Sequence, residues 1–308
     1  MLNASYNVEL ARLASLVAAT GYAFITPTPA TIARVNARPG AAWARDLRDV
    51  FGWSRPFRAG TLPVDIETAA RQAGVLVSAG EGMRSTVRLS SLDGVLFMHS
   101  AYPTSAADAV FFGPDTYRFA RAIRHAMPPT VRRAVDIGCG SGPGAIVVAR
   151  ARPDAEVIAV DINEAALELT RVNAATACVS VEARASDLLS AVEGEIDLIV
   201  ANPPYLVDPG ERAYRHGGGP LGAGLSLKIL DVAIERLRPG GTLLLYTGAS
   251  IVDGKDPFRE ASEARLGGSG MRWTYEEIDP DVFGEELDSG AYASADRIAA
   301  VLLTAKKD

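Results

Sequence analysis

From about residue 131 the chain alternates short apolar segments with helical segments, and this alternation constrains the fold more than any other feature. Five segments are predicted to be strands: Ala134–Ile137, Val157–Val160, Val179–Ala183, Asp197–Ala201 and Thr242–Tyr246. Predicted helices lie between them, over Gly144–Ala151, Glu164–Ala175 and Leu225–Leu237, and two further strands follow over Arg272–Ile278 and Ile298–Leu303. This order is typical of an α/β domain with a seven-stranded, mostly parallel sheet and helices on both faces, here over residues 106–308.

Residues 1–105 show a different pattern. Helices are predicted over Val8–Ala19, Thr31–Ala37, Ala42–Phe51 and Asp65–Ala73, and short strands over Val75–Val77, Thr86–Leu89 and Val95–Met98. Asp93-Gly94 is a strong hairpin turn. Helices followed by a small sheet resemble a winged helix, which binds DNA in many proteins and docks on proteins in others. The sequence therefore predicts a small N-terminal α+β domain that recognises a substrate. Both DNA binding and docking on a protein fit this pattern.

The composition is that of an ordinary globular protein, with 48% hydrophobic and 22% charged residues. No apolar run approaches the roughly 18 residues that a membrane span needs, and the first residues lack a secretory pattern. Two cysteines, Cys139 and Cys178, form no disulfide framework, so both are predicted to be reduced and the protein cytoplasmic. Without clustered His and Cys residues, no metal site is predicted.

The charge is distributed unevenly. Residues 1–130 hold 13 Arg and no Lys against 9 Asp and Glu, whereas residues 131–308 hold 18 Lys and Arg against 28 Asp and Glu. A basic N-terminal half could attract an acidic protein or RNA. Alternatively, arginine is simply the usual surface cation of this chain, because 27 of its 31 cations are Arg.

A glycine-rich turn follows the first predicted strand of the α/β part, in the sequence Val135-Asp136-Ile137-Gly138-Cys139-Gly140-Ser141-Gly142. Gly138, Gly140 and Gly142 lack the Cβ atoms that would keep a ligand away from the backbone. The next helix offers free N–H groups at its start. Such a turn suits the pyrophosphate of a dinucleotide or the amino-acid end of S-adenosylmethionine (SAM), and by itself it does not distinguish them.

Carboxylates near the ends of the first three strands favour SAM. Asp136 is placed to bind an ammonium group, and Asp161 can accept two ribose hydroxyl protons, a role that would serve NAD equally well. Asp187 follows the third strand and could accept a hydrogen bond from an adenine amino group. The apolar neighbours Ile162 and Leu188 complete the predicted cofactor site. Each Asp could instead cap a helix or end a solvated loop.

Asn202-Pro203-Pro204-Tyr205 follows the fourth strand, about sixty residues after the glycine turn. The Asn202 side-chain oxygen can accept one N–H of a planar NH2 group, and the Pro203 carbonyl can accept the other. Two acceptors orient the nitrogen, which is a poor nucleophile until its lone pair is held in line with an electrophile. Tyr205 can pack on the flat face of the same group. The alternative is that two prolines merely end a strand.

Together these motifs resemble the class I SAM-dependent methyltransferases with an Asn-Pro-Pro-Tyr motif, in particular the release-factor glutamine N5-methyltransferases. The branch also contains N6-adenine and N2-guanine methyltransferases. The resemblance covers residues 109–305 and implies a Rossmann-like fold, S-adenosyl-L-methionine as cofactor and N-methylation. It implies catalytic roles for Asn202, Pro203 and Tyr205, cofactor contact by Asn202, and substrate contact by Pro204 and Tyr205.

A second stretch, Val110 to Thr116, resembles the segment before the cofactor turn in the glutamine methyltransferases, which reads Arg-Pro-Asp-Thr-Glu. Pro114, Asp115 and Thr116 match, but Gly113 stands in place of Arg and Tyr117 in place of Glu. Phe112 is predicted to form an apolar wall against the substrate. The alternative is that Pro114-Asp115-Thr116 only begins a helix.

Several functions fit these patterns. Protein glutamine is the first acceptor hypothesis, an amino group of RNA or DNA the second and a small-molecule amine the third. A non-enzyme alternative is a nucleic-acid-binding protein that uses the winged-helix-like part, which would leave Asn202 without a role. The glycine-rich loop Leu206–Gly224 is predicted to be mobile and to close over the acceptor. His216 in that loop either contacts substrate or is an inert surface residue.

Overall fold

The computed structural model describes residues 4–212 and 214–308, and its first third consists of four helices followed by two hairpins. The helices are α1 (Ala4–Ala19), α2 (Pro29–Asn36), α3 (Leu47–Phe51) and α4 (Val64–Gln72). The antiparallel strands β1 (Leu76–Ala79) and β2 (Gly82–Ser85) form one two-stranded sheet, and β3 (Val87–Leu92) and β4 (Val95–Ser100) form another. No strand was predicted over β2. Within it, Gly82 packs closely against Phe57, where a Cβ would lie 2.3 Å from the carbonyl oxygen.

The rest of the chain forms one seven-stranded sheet with helices on its faces. Its helices are α5 (Pro114–Ala126), α6 (Pro143–Ala151), α7 (Glu164–Thr176), α8 (Gly224–Arg236) and α9 (Pro257–Leu266). Its strands are β5 (Arg133–Ile137), β6 (Glu156–Asp161), β7 (Glu182–Ala185), β8 (Ile196–Ala201), β9 (Leu237–Ile251), β10 (Met271–Asp279) and β11 (Arg297–Lys307). Three short 3₁₀ helices lie over Pro220–Gly222, Gly284–Asp288 and Gly290–Tyr292.

The strand order is β10-β11-β9-β8-β5-β6-β7. Neighbours from β9 to β7 pair in parallel, and β11 pairs antiparallel with both β9 and β10. The predicted α/β class with a seven-stranded, mostly parallel sheet is therefore confirmed. β7 lies later than the predicted Val179–Ala183, because Val179 and Val181 pack on the core before the strand begins.

Hydrophobic residues fill both faces of the sheet, as the near-continuous apolar strands require. Along β5, Ala134 packs in the cluster on one face, whereas Val135 and Ile137 pack in the cluster on the other. All six residues of β8 are buried. The central strands therefore form a rigid platform, and their carboxyl ends hold fixed positions.

The N-terminal helices and hairpins share a core with α7. Leu13 and Val17 of α1 belong to the same buried cluster as Val172 of α7. Asn173 makes the connection specific: its side chain accepts a hydrogen bond from Met98 N at 2.7 Å and donates to Met98 O and to Ser141 O in the glycine turn. The first third of the chain thus packs directly behind the loop that follows β5. Its role as a separate recognition domain over residues 1–105 stays a prediction.

The order of the strands determines where a ligand can bind. From β5 the chain runs to β6 and β7 on one side and then returns to β8 on the other side. At such a switch point the loops after the two central strands diverge and leave a crevice at the carboxyl edge of the sheet. Among the helices of residues 4–212 and 214–308, we find none with the length and apolar character to span a membrane.

Candidate functional site

A cavity of about 230 Å³ opens at the carboxyl ends of β5, β6, β7 and β8. Most of the residues predicted for the cofactor and acceptor sites line it: Asp136, Gly138, Gly140, Asp161, Ile162, Asp187, Leu188, Asn202, Pro203, Pro204 and Tyr205. The crevice expected at the switch point is therefore the place where the glycine turn and the Asn-Pro-Pro-Tyr segment meet.

The glycine turn forms the floor of the cavity. Gly138 and Gly140 have φ angles of 68° and 55°, which non-glycine residues rarely adopt. Gly142 differs from the prediction, because it does not line the cavity. It caps α6 with φ 84°, and a Cβ there would lie 2.9 Å from Thr170 Cγ2. Its role is to begin the helix and to let α7 pack closely.

Asp136 lies buried at the end of β5 and faces the start of α6. Its Oδ2 accepts a hydrogen bond from Ala145 N at 2.8 Å. Burial raises the pKa of its carboxyl from the usual 3.8 to about 7, and the neighbouring negative charge of Asp161 acts in the same direction. A cationic ligand group beside Asp136 would relieve this penalty.

Asp161 ends β6 and joins the two loops that flank the cavity. Its Oδ2 accepts from Gly140 N at 3.0 Å and its Oδ1 from Asn163 N at 2.9 Å. Each carboxylate oxygen keeps a further lone pair for a ligand hydroxyl. Ile162, the next residue, is 70% exposed at the cavity edge, so an apolar surface lies beside the carboxylate. Asp187 is exposed on the same rim after β7.

Asn202 is half-buried and directly follows Ala201, the last residue of β8. The backbone of β8 is paired on both sides, with β5 and β9, so the strand holds Asn202 at a fixed height above the sheet. Pro203 is buried and Pro204 half-buried against the same cavity. An amide side chain and a proline carbonyl therefore lie side by side where a planar NH2 group can approach.

The tyrosine of this segment is held by a buried carboxylate, that of Asp115. No contact of Asp115 was predicted from the sequence. Tyr205 Oη donates to Asp115 Oδ2 at 2.6 Å, and Tyr246 Oη of β9 donates to Asp115 Oδ1 at 2.8 Å. The helix predicted from the Pro114-Asp115-Thr116 stretch is present as α5, which begins at Pro114. The match of that stretch to the family segment was the only signal that could have identified Asp115.

Phe112 does not form the predicted wall of the cavity. It is 1% exposed and packs in the core against Phe97, His99 and Tyr117, with ring centroids 5.1 to 5.6 Å apart. Its neighbour Phe111 lines the cavity instead and stacks with Tyr214 at 6.1 Å. The prediction selected the wrong one of two adjacent phenylalanines, because consecutive residues of an extended segment point to opposite sides.

The two phenylalanines should therefore respond differently to substitution. We expect Phe112→Leu to lower the free energy of unfolding by about 1–2 kcal/mol, because it leaves a void in a packed core. Phe111→Leu should change it by less than about 0.5 kcal/mol. Urea denaturation followed by circular dichroism measures both. Equal losses would contradict the assignment of Phe111 to the cavity wall.

The loop after the Asn-Pro-Pro-Tyr segment lies over the acceptor end of the cavity. Tyr214 and Arg215 line it; Tyr214 Oη donates to Thr104 O at 2.7 Å, and Arg215 forms an ion pair with Glu286. His216 does not line the cavity, and its Nδ1 accepts from Asp208 N at 3.2 Å. Motion of this loop stays a prediction, and its residue Ala213 lies outside the described residues.

Comparisons with known proteins agree with this geometry. Residues 119–251 match the family model described as "Methyltransferase small domain". Over 186 residues the chain is 35% identical to a release factor glutamine methyltransferase of Koribacter versatilis, covering 56% of this chain and 62% of the relative. Over 218 residues it is 32% identical to the corresponding enzyme of Deinococcus radiodurans, covering 67% of this chain and 74% of the relative.

The Koribacter alignment thus spans less than two thirds of that relative. Among solved structures, a protein from Pyrococcus horikoshii is similar with a TM-score of 0.51 and 15% identity, covering 79% of this chain and 81% of the other. At that identity the similarity concerns the fold alone, and it agrees with the Rossmann-like architecture described above.

Proposed function

The chain belongs to the family of release factor glutamine methyltransferases, and we propose that it transfers a methyl group from S-adenosyl-L-methionine to the side-chain amide of a glutamine in a release-factor-like protein. One observation carries the proposal: Asn202-Pro203-Pro204-Tyr205 shares a single cavity with the glycine turn and with three strand-end carboxylates. A methyl donor and a planar amide would meet there.

The residues of the cavity fit the cofactor by their chemistry. Asp136 would bind its ammonium group, and Asp161 would accept hydrogen bonds from the ribose hydroxyls. The exposed side chain of Ile162, with Leu188, would flank the adenine, and Asp187 would accept from its amino group. Gly138 and Gly140 leave room for the amino-acid end, because neither residue carries a side chain.

The acceptor would lie between Asn202 and the rings of the cavity wall. The Asn202 carboxamide oxygen and the Pro203 carbonyl would each accept one N–H of the target amide, which leaves the nitrogen lone pair directed across the cavity. S-adenosylmethionine supplies an electrophilic sulfonium methyl group. Pro204 and Tyr205 would restrict the amide to one plane, so the contribution of the protein is mainly orientation.

A nucleobase amino group is the second candidate, and one observation favours it. Five aromatic side chains line the cavity: Phe111, Phe119, Tyr205, Tyr214 and Phe283. Base–aromatic stacking contributes about 1–3 kcal/mol per base, so such walls would suit adenine or guanine. A small-molecule amine has no comparable observation in its favour.

One experiment separates the two acceptor classes. Extract from a deletion strain is incubated with the purified protein and with SAM carrying a radioactive methyl group. We expect the label to be lost on protease treatment, to survive ribonuclease and deoxyribonuclease, and to be released as methylamine by acid hydrolysis of the methylated amide. Label that is removed by a nuclease and stays with a purine after hydrolysis would defeat the glutamine proposal.

The affinity for SAM is expected to depend on pH through Asp136. In the free protein its pKa is about 7. The ionised form binds an ammonium group, so protons compete with the ligand below that pH. The dissociation constant should therefore fall about 40-fold between pH 5 and pH 7, where the α-ammonium group of SAM stays protonated, and the Asp136→Asn variant should show no such trend. Calorimetry at a series of pH values measures this.

The free protein should show the opposite pH trend in stability. A carboxyl whose folded pKa is raised binds its proton more tightly when folded, so Asp136 contributes a loss of stability as pH rises from about 4 to about 7. A SAM dissociation constant of the wild-type protein that stays flat over this range would contradict the ammonium assignment.

The proposal includes a cytoplasmic location. Cys139 and Cys178 are both free thiols, the first buried and the second exposed, which suits a reducing compartment. The partner is proposed to be a protein of the release-factor type. Its glutamine side chain would enter the cavity beside Tyr214 and Arg215. Fractionation of cells that express the protein at its natural level would test the location.

A further inference from the structure

Two tyrosines from separate segments meet on one buried carboxylate beside the acceptor end of the cavity. Asp115 lies in the first turn of α5 and is 7% exposed. Its two oxygens accept different hydroxyls, from Tyr205 at 2.6 Å and from Tyr246 at 2.8 Å. Burial raises the pKa of the Asp115 carboxyl, whereas the hydrogen bonds from Tyr205 and Tyr246 and the charge of Arg118 lower it. Asp115 therefore joins α5, the Asn-Pro-Pro-Tyr segment and β9 at a single point.

An arginine extends this junction to the edge of the sheet. Arg118 Nη1 lies 3.2 Å from Asp115 Oδ1, and its Nη2 lies 2.7 Å from Asp279 Oδ2 at the end of β10. The Arg118 side chain is 30% exposed, so water shares in solvating it. A buried carboxylate without a cation is costly, and Arg118 compensates part of that cost.

The ring of Tyr205 has little freedom apart from this hydroxyl contact. A Cβ on Gly248 of β9 would lie 2.2 Å from Tyr205 Cδ2, so the ring rests directly on the strand backbone. Phe283 packs its edge against the ring at 5.8 Å with an interplanar angle of 74°. The two prolines between Tyr205 and Asn202 have fixed φ angles, so few backbone torsions can absorb a shift of the tyrosine before it reaches Asn202.

We propose that Asp115 is a positioning residue that acts through Tyr205: by holding the tyrosine hydroxyl, it fixes the Asn202 carboxamide and the Pro203 carbonyl in the arrangement that orients the acceptor nitrogen. The inference rests on the proposed methyl transfer and assigns a purpose to Asp115 in the Pro114–Thr116 segment. Asp115 lines the cavity, and its effect is on the rate of the chemical step rather than on cofactor binding.

The test is a double-mutant cycle with a matched control. Asp115→Asn, Tyr205→Phe and the double variant are compared with Asp256→Asn, Tyr275→Phe and their double variant. Tyr275 Oη donates to Asp256 Oδ2 at the same 2.6 Å, and neither residue lines the cavity. Each cavity-side single variant should lower kcat about 10- to 100-fold, with KM and the SAM dissociation constant within about threefold. The control variants should keep wild-type kcat.

Non-additivity identifies a residue that acts through another. If Asp115 works through Tyr205, the double variant is no slower than the slower single variant. A double variant whose loss is the product of the two single losses would overturn the inference. So would a fall in SAM affinity that parallels the fall in kcat, or a control pair that lowers kcat equally.

A second measurement is independent of the acceptor. Hydrogen exchange of the peptide covering residues 202–207 should accelerate to the same degree in Asp115→Asn, Tyr205→Phe and the double variant, and should not change in the control pair. If wild-type protein methylates no glutamine, the proposed function fails while this measurement still tests the positioning role. Unchanged exchange in Asp115→Asn would overturn that role.

Discussion

Replacing Asn202 with alanine is expected to lower kcat for methyl transfer about 10²–10³-fold while leaving the dissociation constant for SAM within about threefold of the wild-type value. Asn202 follows strand β8, whose last four residues, Leu198–Ala201, pair on both sides, so its loss removes one acceptor without disturbing the sheet. Removing one preorganised hydrogen-bonding group from an active site costs about 10²–10³ in kcat, or about 3–4 kcal/mol. Single-turnover transfer of labelled methyl, together with calorimetry of SAM binding, measures both quantities.

An isosteric variant controls this prediction. Asn202→Asp keeps an acceptor oxygen at the same position, so it should retain more transfer activity than Asn202→Ala. The two variants should unfold at similar urea concentrations, because the side chain is only half-buried. Equal losses of SAM affinity and of transfer in Asn202→Ala would instead identify Asn202 as a ligand of the cofactor.

The sheet could be predicted from the sequence because its central strands are buried on both faces. Such strands are short continuous apolar runs, and β5, β6 and β8 were placed to within one residue at either end. β7 is an edge strand whose four residues, Glu182–Ala185, are partly or fully exposed, so hydrophobicity placed it too early. No helix was predicted over α9, because its sequence has a weak apolar pattern. Its buried side chains are those of Phe258, Ser262 and Leu266, and one of these is polar.

Within the site, the residues that could be predicted from the sequence are those that lie at or just after the ends of strands. Asp136, Asp161 and Asn202 end strands or follow them, and parallel strands bring their carboxyl ends together. The choice between Phe111 and Phe112 depends on the rotation of an extended segment, which local sequence does not determine. The contacts of Asp115 with Tyr205 and Tyr246 join residues 90 and 131 positions apart, so they required the tertiary structure.

The last prediction concerns Asp161, whose replacement by alanine is expected to weaken SAM binding about 100-fold, or by about 3 kcal/mol. Hydrogen bonds to charged groups contribute about 1.5–3 kcal/mol each, and this carboxylate would accept from the ribose. It also holds Gly140 N at 3.0 Å and Asn163 N at 2.9 Å. The alanine variant therefore loses a ligand contact and also releases the turn that forms the floor of the cavity.

Two further variants separate these contributions. Asp161→Asn keeps one acceptor oxygen and should weaken binding about tenfold, whereas Asp187→Ala on the exposed rim should weaken it less than about fivefold. Asp161 also accepts from Gly140 N and Asn163 N, so its replacement by alanine should lower the unfolding temperature, whereas Asp187→Ala should not. Calorimetry measures the binding and differential scanning fluorimetry the stability. An unchanged dissociation constant in Asp161→Ala would remove the ribose assignment, and with it the orientation proposed for the cofactor between the glycine turn and Asn202.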